Sequence, residues 1–461
     1  MDSSVRESLR AGTWLFLGSI TVSLTGLLFW LVISRLSGAG SIGVASSIFS
    51  SAAIASTLVS AGINIGVMRE VAARGPKAVT PGLLAALILG LAASIIAVPL
   101  CLLLGYNGPL LILATVFAGL NVVLATLLAV LQGLTRFKHV FLVQALSSIT
   151  KLFVGVALAL LGLGALAAVT GFTIYTVIGV AVALALTIPY LGSRIDWSAF
   201  HEILRLGYAN YPFMLSNQLV TVLAVYLFAL FGGGAVDTGR LYISLMIALA
   251  VSGLAGSVVL ASLPIGTRRS SDPYAEAYRL AYGLTLPVVV VLIPFSNQLL
   301  ALVNRDLAVA GNTLALLLAA TPALVMFTAI QARHNRYGDK RRVALLGTLR
   351  LALLIVLGIA LDRLGTLGVA LAYLASTLAA TLSGLPGFPG ALKTYLSYQS
   401  VALLPLALLQ AGINPAITAT IGLAAALITQ GATKTMTLSD YARAIKEIIS
   451  ITGLIKTTGQ R

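Results

Sequence analysis

Residues 14–72 read WLFLGSITVSLTGLLFWLVISRLSGAGSIGVASSIFSSAAIASTLVSAGINIGVMREVA. Two apolar runs, 12–34 and 41–67, flank a short Ser/Gly-rich joint, and neither run holds an Asp or Glu. Each is longer than the roughly 20 residues needed to cross a bilayer, and neither alternates with period two. Backbone in lipid must satisfy its own hydrogen bonds, so runs of this kind are spanning helices.

The same reading extends along the chain. Further runs lie at 79–104, 109–131, 140–163, 165–188, 208–231, 240–263, 278–303, 309–331, 343–361, 366–384, 398–412 and 415–433. Fourteen spans and short loops leave no room for a soluble catalytic domain. Composition agrees: 59% of the 461 residues are hydrophobic, 9% are charged, and the mean hydropathy is +1.03. The first run is too long for a signal-peptide core and reads as a retained helix. Cys101 is the single cysteine, which excludes an internal disulfide and a Cys/His metal site.

The net charge of +16 is spread over many loops, without the basic domain that nucleic-acid binding needs. Its distribution orients the chain. With both termini and the even-numbered loops on one side, that side carries 23 of the 29 basic residues and the other carries four, Arg35, Arg240, Arg305 and Arg363. The positive-inside rule then places both termini in the cytoplasm of a multi-pass plasma-membrane protein.

The chain also repeats. Arg69, Gln132 and Lys151 recur as Arg268, Gln331 and Arg350 at one offset of 199, and Gly43 recurs as Gly239 at an offset of 196. Two six-helix halves in the same orientation follow, related by an axis along the membrane normal. The expected organisation is all-α. A lobe at 1–192 is followed by an interfacial linker helix at 193–207 and a second lobe at 208–390. Two more helices at 391–433 and an amphipathic cytoplasmic tail at 434–461 complete it. Trp197, Phe200, Ile203 and Leu204 give the linker its apolar face, and Ile445, Ile448 and Ile449 give one to the tail.

Lys151 and Arg350 are the two charges deep inside spans. Gln144, Ser147, Ser148 and Lys151 share one face of the fifth helix, and a polar stripe ending in a cation faces a bundle interior or water rather than lipid. A lysine or arginine near a span terminus, reaching the interface, is the alternative. Arginine suits a phosphate through bidentate hydrogen bonds. Ser46, Ser50, Thr57, Ser60 and Asn64 form a polar face on the second helix, and Asn210, Asn217 and Thr221 one on the seventh. Helix packing or a hydrophilic cleft accounts for either. His139, His201 and His334 fall in or beside loops, no acid pair lies in the spans, and no phosphate-cradling Gly-rich motif is present. These features give no enzyme site and imply no cofactor.

Stretch 14–72, with S-R-L-S-G at 34–38 and M-R-E at 68–70, resembles the opening of polysaccharide-export flippases. LQGLTRFKHVFLVQALSSITKLFVGVAL (131–158) and LGTLGVALAYLAS (364–376) resemble later helix joins of that family, the Wzx-type oligosaccharide flippases. The resemblance covers about residues 10–385. It implies two lobes around a cleft that opens to alternate sides, and a polyprenyl or dolichyl (di)phosphate-linked saccharide moved to the outer leaflet. The expected substrate contacts are Lys151, Arg350, Gln144, Asn64, Asn217 and Arg35, the last matching an arginine that follows the family's first helix. The expected partners are the bilayer and the lipid-linked saccharide, together with glycosyltransferases or a polymerase of the pathway, around a monomeric chain. The arginine cluster of lipid II flippases and the membrane acids of drug exporters are missing from the sequence. A cation-coupled exporter, a membrane-embedded glycosyltransferase or ligase, and a scaffold are the alternatives.

Overall fold

The computed structural model describes residues 3–192, 194–265, 273–336, 338–387 and 391–433. The expected tail helix at 439–456, Ser193 of the expected linker, and Arg268 and Arg269 of the charge count lie outside them. The described residues are helical throughout, with no strand among them. The N-terminal helices are α1 (Ser3–Ser60), α2 (Ile63–Arg74), α3 (Val79–Leu103), α4 (Gly108–Gly133), α5 (Phe137–Leu160) and α6 (Gly164–Thr187). Then come α7 (Trp197–Leu230), α8 (Ala235–Ile265), α9 (Pro273–Leu292), α10 (Ser296–Val303) and α11 (Gly311–Ala319). The last are α12 (Thr321–Arg336), α13 (Lys340–Ala360), α14 (Thr366–Gly384), α15 (Ala391–Gln410) and α16 (Pro415–Ala432).

Twelve helical stretches among the described residues are long and apolar enough to cross a membrane. The sequence reading divides the chain more finely. Its runs 12–34 and 41–67 fall largely within α1, a helix bent at Gly38, where φ is 75° and ψ is 169°. The apolar part, Leu17–Ser60, has 44 residues. At 1.5 Å per residue it is roughly 66 Å long, about twice the hydrocarbon thickness, so the bend falls where a span must end. The run 398–412 lies in α15, which carries Lys393, Gln399 and several hydroxyls and is not among the twelve. The runs 278–303 and 309–331 are each broken, at a 3₁₀ turn around Pro294 and just before Pro322, where a proline cannot donate to the preceding turn.

The helices are packed inside out relative to a soluble protein. On α3 the buried face is Ala85, Ala86, Gly90, Ala93, Ala97 and Cys101, while Leu87, Ile88, Leu91 and Ile95 are exposed. Small residues let backbones approach, and large aliphatic residues face lipid, because lipid is no less apolar than leucine. The chain is thus a multi-pass membrane protein.

Two compact units are present. One comprises residues 3–246, 297–313 and 334–376; the other comprises 247–296, 314–333 and 377–433. In the first, the expected linker and seventh span are one continuous helix, α7, 34 residues long. Asp196 caps it, accepting from the backbone N–H of Ser198 at 3.0 Å and Ala199 at 3.2 Å. Ala199 and Ile203 are buried against Ile63, Val67 and Val71 of α2, so part of the stretch read as interfacial is packed on protein. In the second unit, backbone carbonyls receive buried side chains. Tyr282 donates to Pro322 at 3.0 Å, Gln399 to Ala319 at 2.9 Å and Gln430 to Gly283 at 3.0 Å.

The glycine pair of the repeat meets in space. A Cβ on Gly43 would overlap the Ala235 carbonyl oxygen and stand 2.6 Å from its carbon and 2.9 Å from Gly239 N. A Cβ on Gly239 would overlap the Ala39 carbonyl oxygen and stand 3.0 Å from Gly43 N. Ala39 and Ala235 are themselves 196 positions apart, so the contact is reciprocal.

Candidate functional site

Helix α5 lies against α1 and α6, and Lys151 projects between them with 4% of its surface exposed. Its Nζ sits 4.8 Å from the ring centre of Phe172, 5.4 Å from Phe29 and 5.6 Å from Tyr175. Phe172 and Tyr175 are three residues apart on one face of α6, and Phe29 comes from α1. Among the described residues Lys151 makes no hydrogen bond and no ion pair. The rings are themselves held: Phe172 contacts Phe29, Trp30, Phe49 and Phe117, and Trp30 contacts Tyr242.

A lysine at mid-membrane costs roughly 2.5–3.5 kcal/mol on insertion scales. A desolvated cation–π contact returns about 0.5–2 kcal/mol. Three such contacts match the cost in size, which explains how α5 carries a cation without a carboxylate beside it. Ring faces do not accept N–H bonds as oxygens do, so the ammonium keeps unused donor capacity.

The polar stripe below Lys151 is equally unsatisfied. Gln144 Oε1 and Ser148 Oγ are buried without a hydrogen-bond partner, while Ser147 bonds its own helix at Val143 O, 2.7 Å away. Gly18 of α1 lies directly against Gln144, and a Cβ on Gly26 would stand 3.9 Å from Lys151 Nζ. A side chain at Gly18 would overlap Gln144, and one at Gly26 would come into contact with the Lys151 ammonium.

The remaining expected residues lie elsewhere. Arg350 projects from α13, which packs along α7; it is 1% exposed and stacks 5.3 Å from the ring of Tyr373 on α14. Lys151 and Arg350 are thus both buried in the first unit, each on its own rings, and no described contact joins them. Asn64 is half-buried on α2 with Oδ1 unpartnered, and Asn217 donates to Phe213 O on its own helix at 2.9 Å. Arg35 holds a helix end. Its Nη2 donates to Leu302 O at 2.6 Å and its Nε to Val303 O at 3.3 Å, the last carbonyls of α10. Asn304 returns a bond to Ser34 O at 2.8 Å. Sequence reasoning missed the rings. The available signal was that Phe29, Phe172 and Tyr175 sit inside runs rather than at their ends, where membrane aromatics concentrate.

Among the described residues Glu70 is the one buried carboxylate, and it is ion-paired with Arg74. No group of three His, Cys, Asp or Glu side chains able to hold a metal occurs among them.

Solved structures share this arrangement of helices. A structure described as the lipid II flippase MurJ in an inward closed conformation aligns over 90% of this chain and 98% of its own, with 17% identity and a TM-score of 0.64. An inward-facing multidrug resistance MATE family transporter of the MOP superfamily aligns over 85% of this chain and 98% of its own, at 16% identity and a TM-score of 0.57. A third, from Pyrococcus furiosus, is a MOP superfamily transporter whose description reports reverse polarity of the binding pocket and suggests a different function. It covers 86% of this chain and 96% of its own, at 18% identity and a TM-score of 0.55. At these identities the likeness is one of fold. No protein-family model and no curated protein matches the sequence.

Proposed function

We propose that the chain is a flippase that moves a polyprenyl- or dolichyl-(di)phosphate-linked oligosaccharide from the cytoplasmic to the outer leaflet by alternating access. The observation that carries this reading is the buried ammonium of Lys151, held by rings with no carboxylate beside it among the described residues. An exporter of cations needs the opposite charge inside. Lys151 and Arg350 supply positive potential for the phosphate once the lobes, 1–192 and 208–390, part to admit it. Gln144, Asn64 and Asn217 offer polar contacts to the cargo. With both termini in the cytoplasm, an inside-negative potential favours outward movement of an anion by roughly 2.3 kcal/mol per charge per 100 mV. Fold likeness to a lipid II flippase supports a carrier of this kind.

The test is reconstitution of the full chain in vesicles with labelled saccharide lipid and a leaflet-specific readout. Lys151→Gln combined with Arg350→Gln abolishes flipping while the protein stays monodisperse. Flipping at the parental rate in that variant removes the site. Ion-driven efflux of organic cations without saccharide flipping removes the function and establishes the exporter.

A further inference from the structure

We infer that the seam between α1, α5 and α6 is a binding site for a small monovalent inorganic anion, seated on Lys151 and Ser148. The inference rests on the burial and partners of Lys151, not on the identity of the cargo.

Four observations converge. The ammonium is enclosed, and it has neither a hydrogen bond nor an ion pair among the described residues. Ser148, one turn towards the N-terminus on the same face, is fully buried with its hydroxyl unpartnered. A helical side chain leans towards the N-terminus of its helix, so Lys151 reaches over the turn that carries Ser148. Gln144 continues the face with an unpartnered amide oxygen, and rotation of that amide presents its N–H₂ instead. Gly26 leaves the wall of α1 that faces the Lys151 ammonium without a side chain.

A buried ammonium with no ion pair, beside a buried hydroxyl free to donate, leaves a net positive charge in low dielectric and calls for a negative occupant. The rings fix its size. Phe29, Phe172 and Tyr175 stand around the ammonium at 4.8–5.6 Å, an enclosure that favours a small occupant over a phosphate headgroup. Chloride is the natural occupant, holding the carrier's cation neutral between transport cycles.

Trp30 is a built-in reporter. It is buried against Phe29 and Phe172, each with ring centres 5.4 Å away. The other tryptophans, Trp14 and Trp197, can be replaced by phenylalanine. The full-length W14F/W197F chain, purified in chloride-free gluconate, is titrated with bromide and iodide at constant ionic strength. Saturable quenching of Trp30 is expected, competed by chloride and not by inorganic phosphate. S148A weakens it several-fold and K151M at least tenfold. If K151M does not fold, S148A and Gln144→Ala carry the comparison. Linear, purely collisional quenching, or saturable quenching unchanged in these variants, overturns the site. So does competition by phosphate, or a bromide-soaked crystal showing only water at Lys151. No saccharide lipid enters this assay, so the outcomes separate. Halide binding without flipping removes the flippase reading alone, and flipping without halide binding removes the anion site alone.

Discussion

Replacing Gly43 by alanine should force apart the start of α8 and the segment of α1 beyond Gly38. The new Cβ would lie 2.6 Å from the Ala235 carbonyl carbon and overlap its oxygen, and both are backbone atoms with no rotamer to yield. Ordinary contacts to carbon begin near 3.5 Å and to oxygen a few tenths closer, and the oxygen is the nearer atom, so the two segments must separate by about 1.5 Å. Overpacking of this kind costs about 1–3 kcal/mol, which lowers the population of the closed contact roughly 5- to 150-fold. A disulfide reports it. A Cβ on Gly40 lies 3.7 Å from Val236 Cγ2, so G40C/V236C, with Cys101 replaced by alanine, places two thiols within bridging range. The cross-linking rate should fall in Gly43→Ala by the same factor. Because the contact is reciprocal, Gly239→Ala should do likewise, and the double variant should lose less than the two singles combined, since the first substitution has already opened the gap. Cross-linking at the parental rate in Gly43→Ala, or strict additivity in the double variant, refutes the reciprocal contact.

Two further outcomes follow from contacts already described. Arg35→Ala removes both donors from Leu302 and Val303 carbonyls and should speed hydrogen exchange in the last turn of α10 at a local cost of about 1–3 kcal/mol; Arg35→Lys, with one compact donor group, restores only part of it. Asp196 is held below its ordinary value of 3.8, first by the Ala199 N–H and also by the Ser198 N–H and Arg74. Its folded-state pKa is lowered, so its contribution is present above that ordinary value and lost as pH falls through the lower one; exchange at Ser198 and Ala199 should rise in that acid window, and Asp196→Ala should show the fast rate at every pH.

Much of this molecule is legible in one dimension because lipid imposes a simple rule. Runs free of Asp and Glu and longer than about 20 residues must be helices. Lys151 and Arg350 stood out for the same reason, as charges placed where charge is costly. Their burial followed, at 4% and 1% exposure. The repeat reading of Gly43 and Gly239 anticipated equivalent positions and not that the two would touch. Arg35 stands out by its match to an arginine of the resembled family, and the structure adds its bonds to the last carbonyls of α10.

Periodicity along α5 assigns Gln144, Ser148 and Lys151 to one face, because 3.6 residues per turn is a property of the local backbone. It cannot name what stands opposite. Phe29 lies 122 positions before Lys151 in the chain and Phe172 lies 21 after it, and packing of α1 and α6 on α5 brings them within cation–π range. The chemistry of the lysine was therefore written in its own helix, while its enclosure, its missing counter-charge and the seam beneath it arose from three helices meeting. Contacts between distant segments depend on side-chain shape at the interface, which no local pattern encodes.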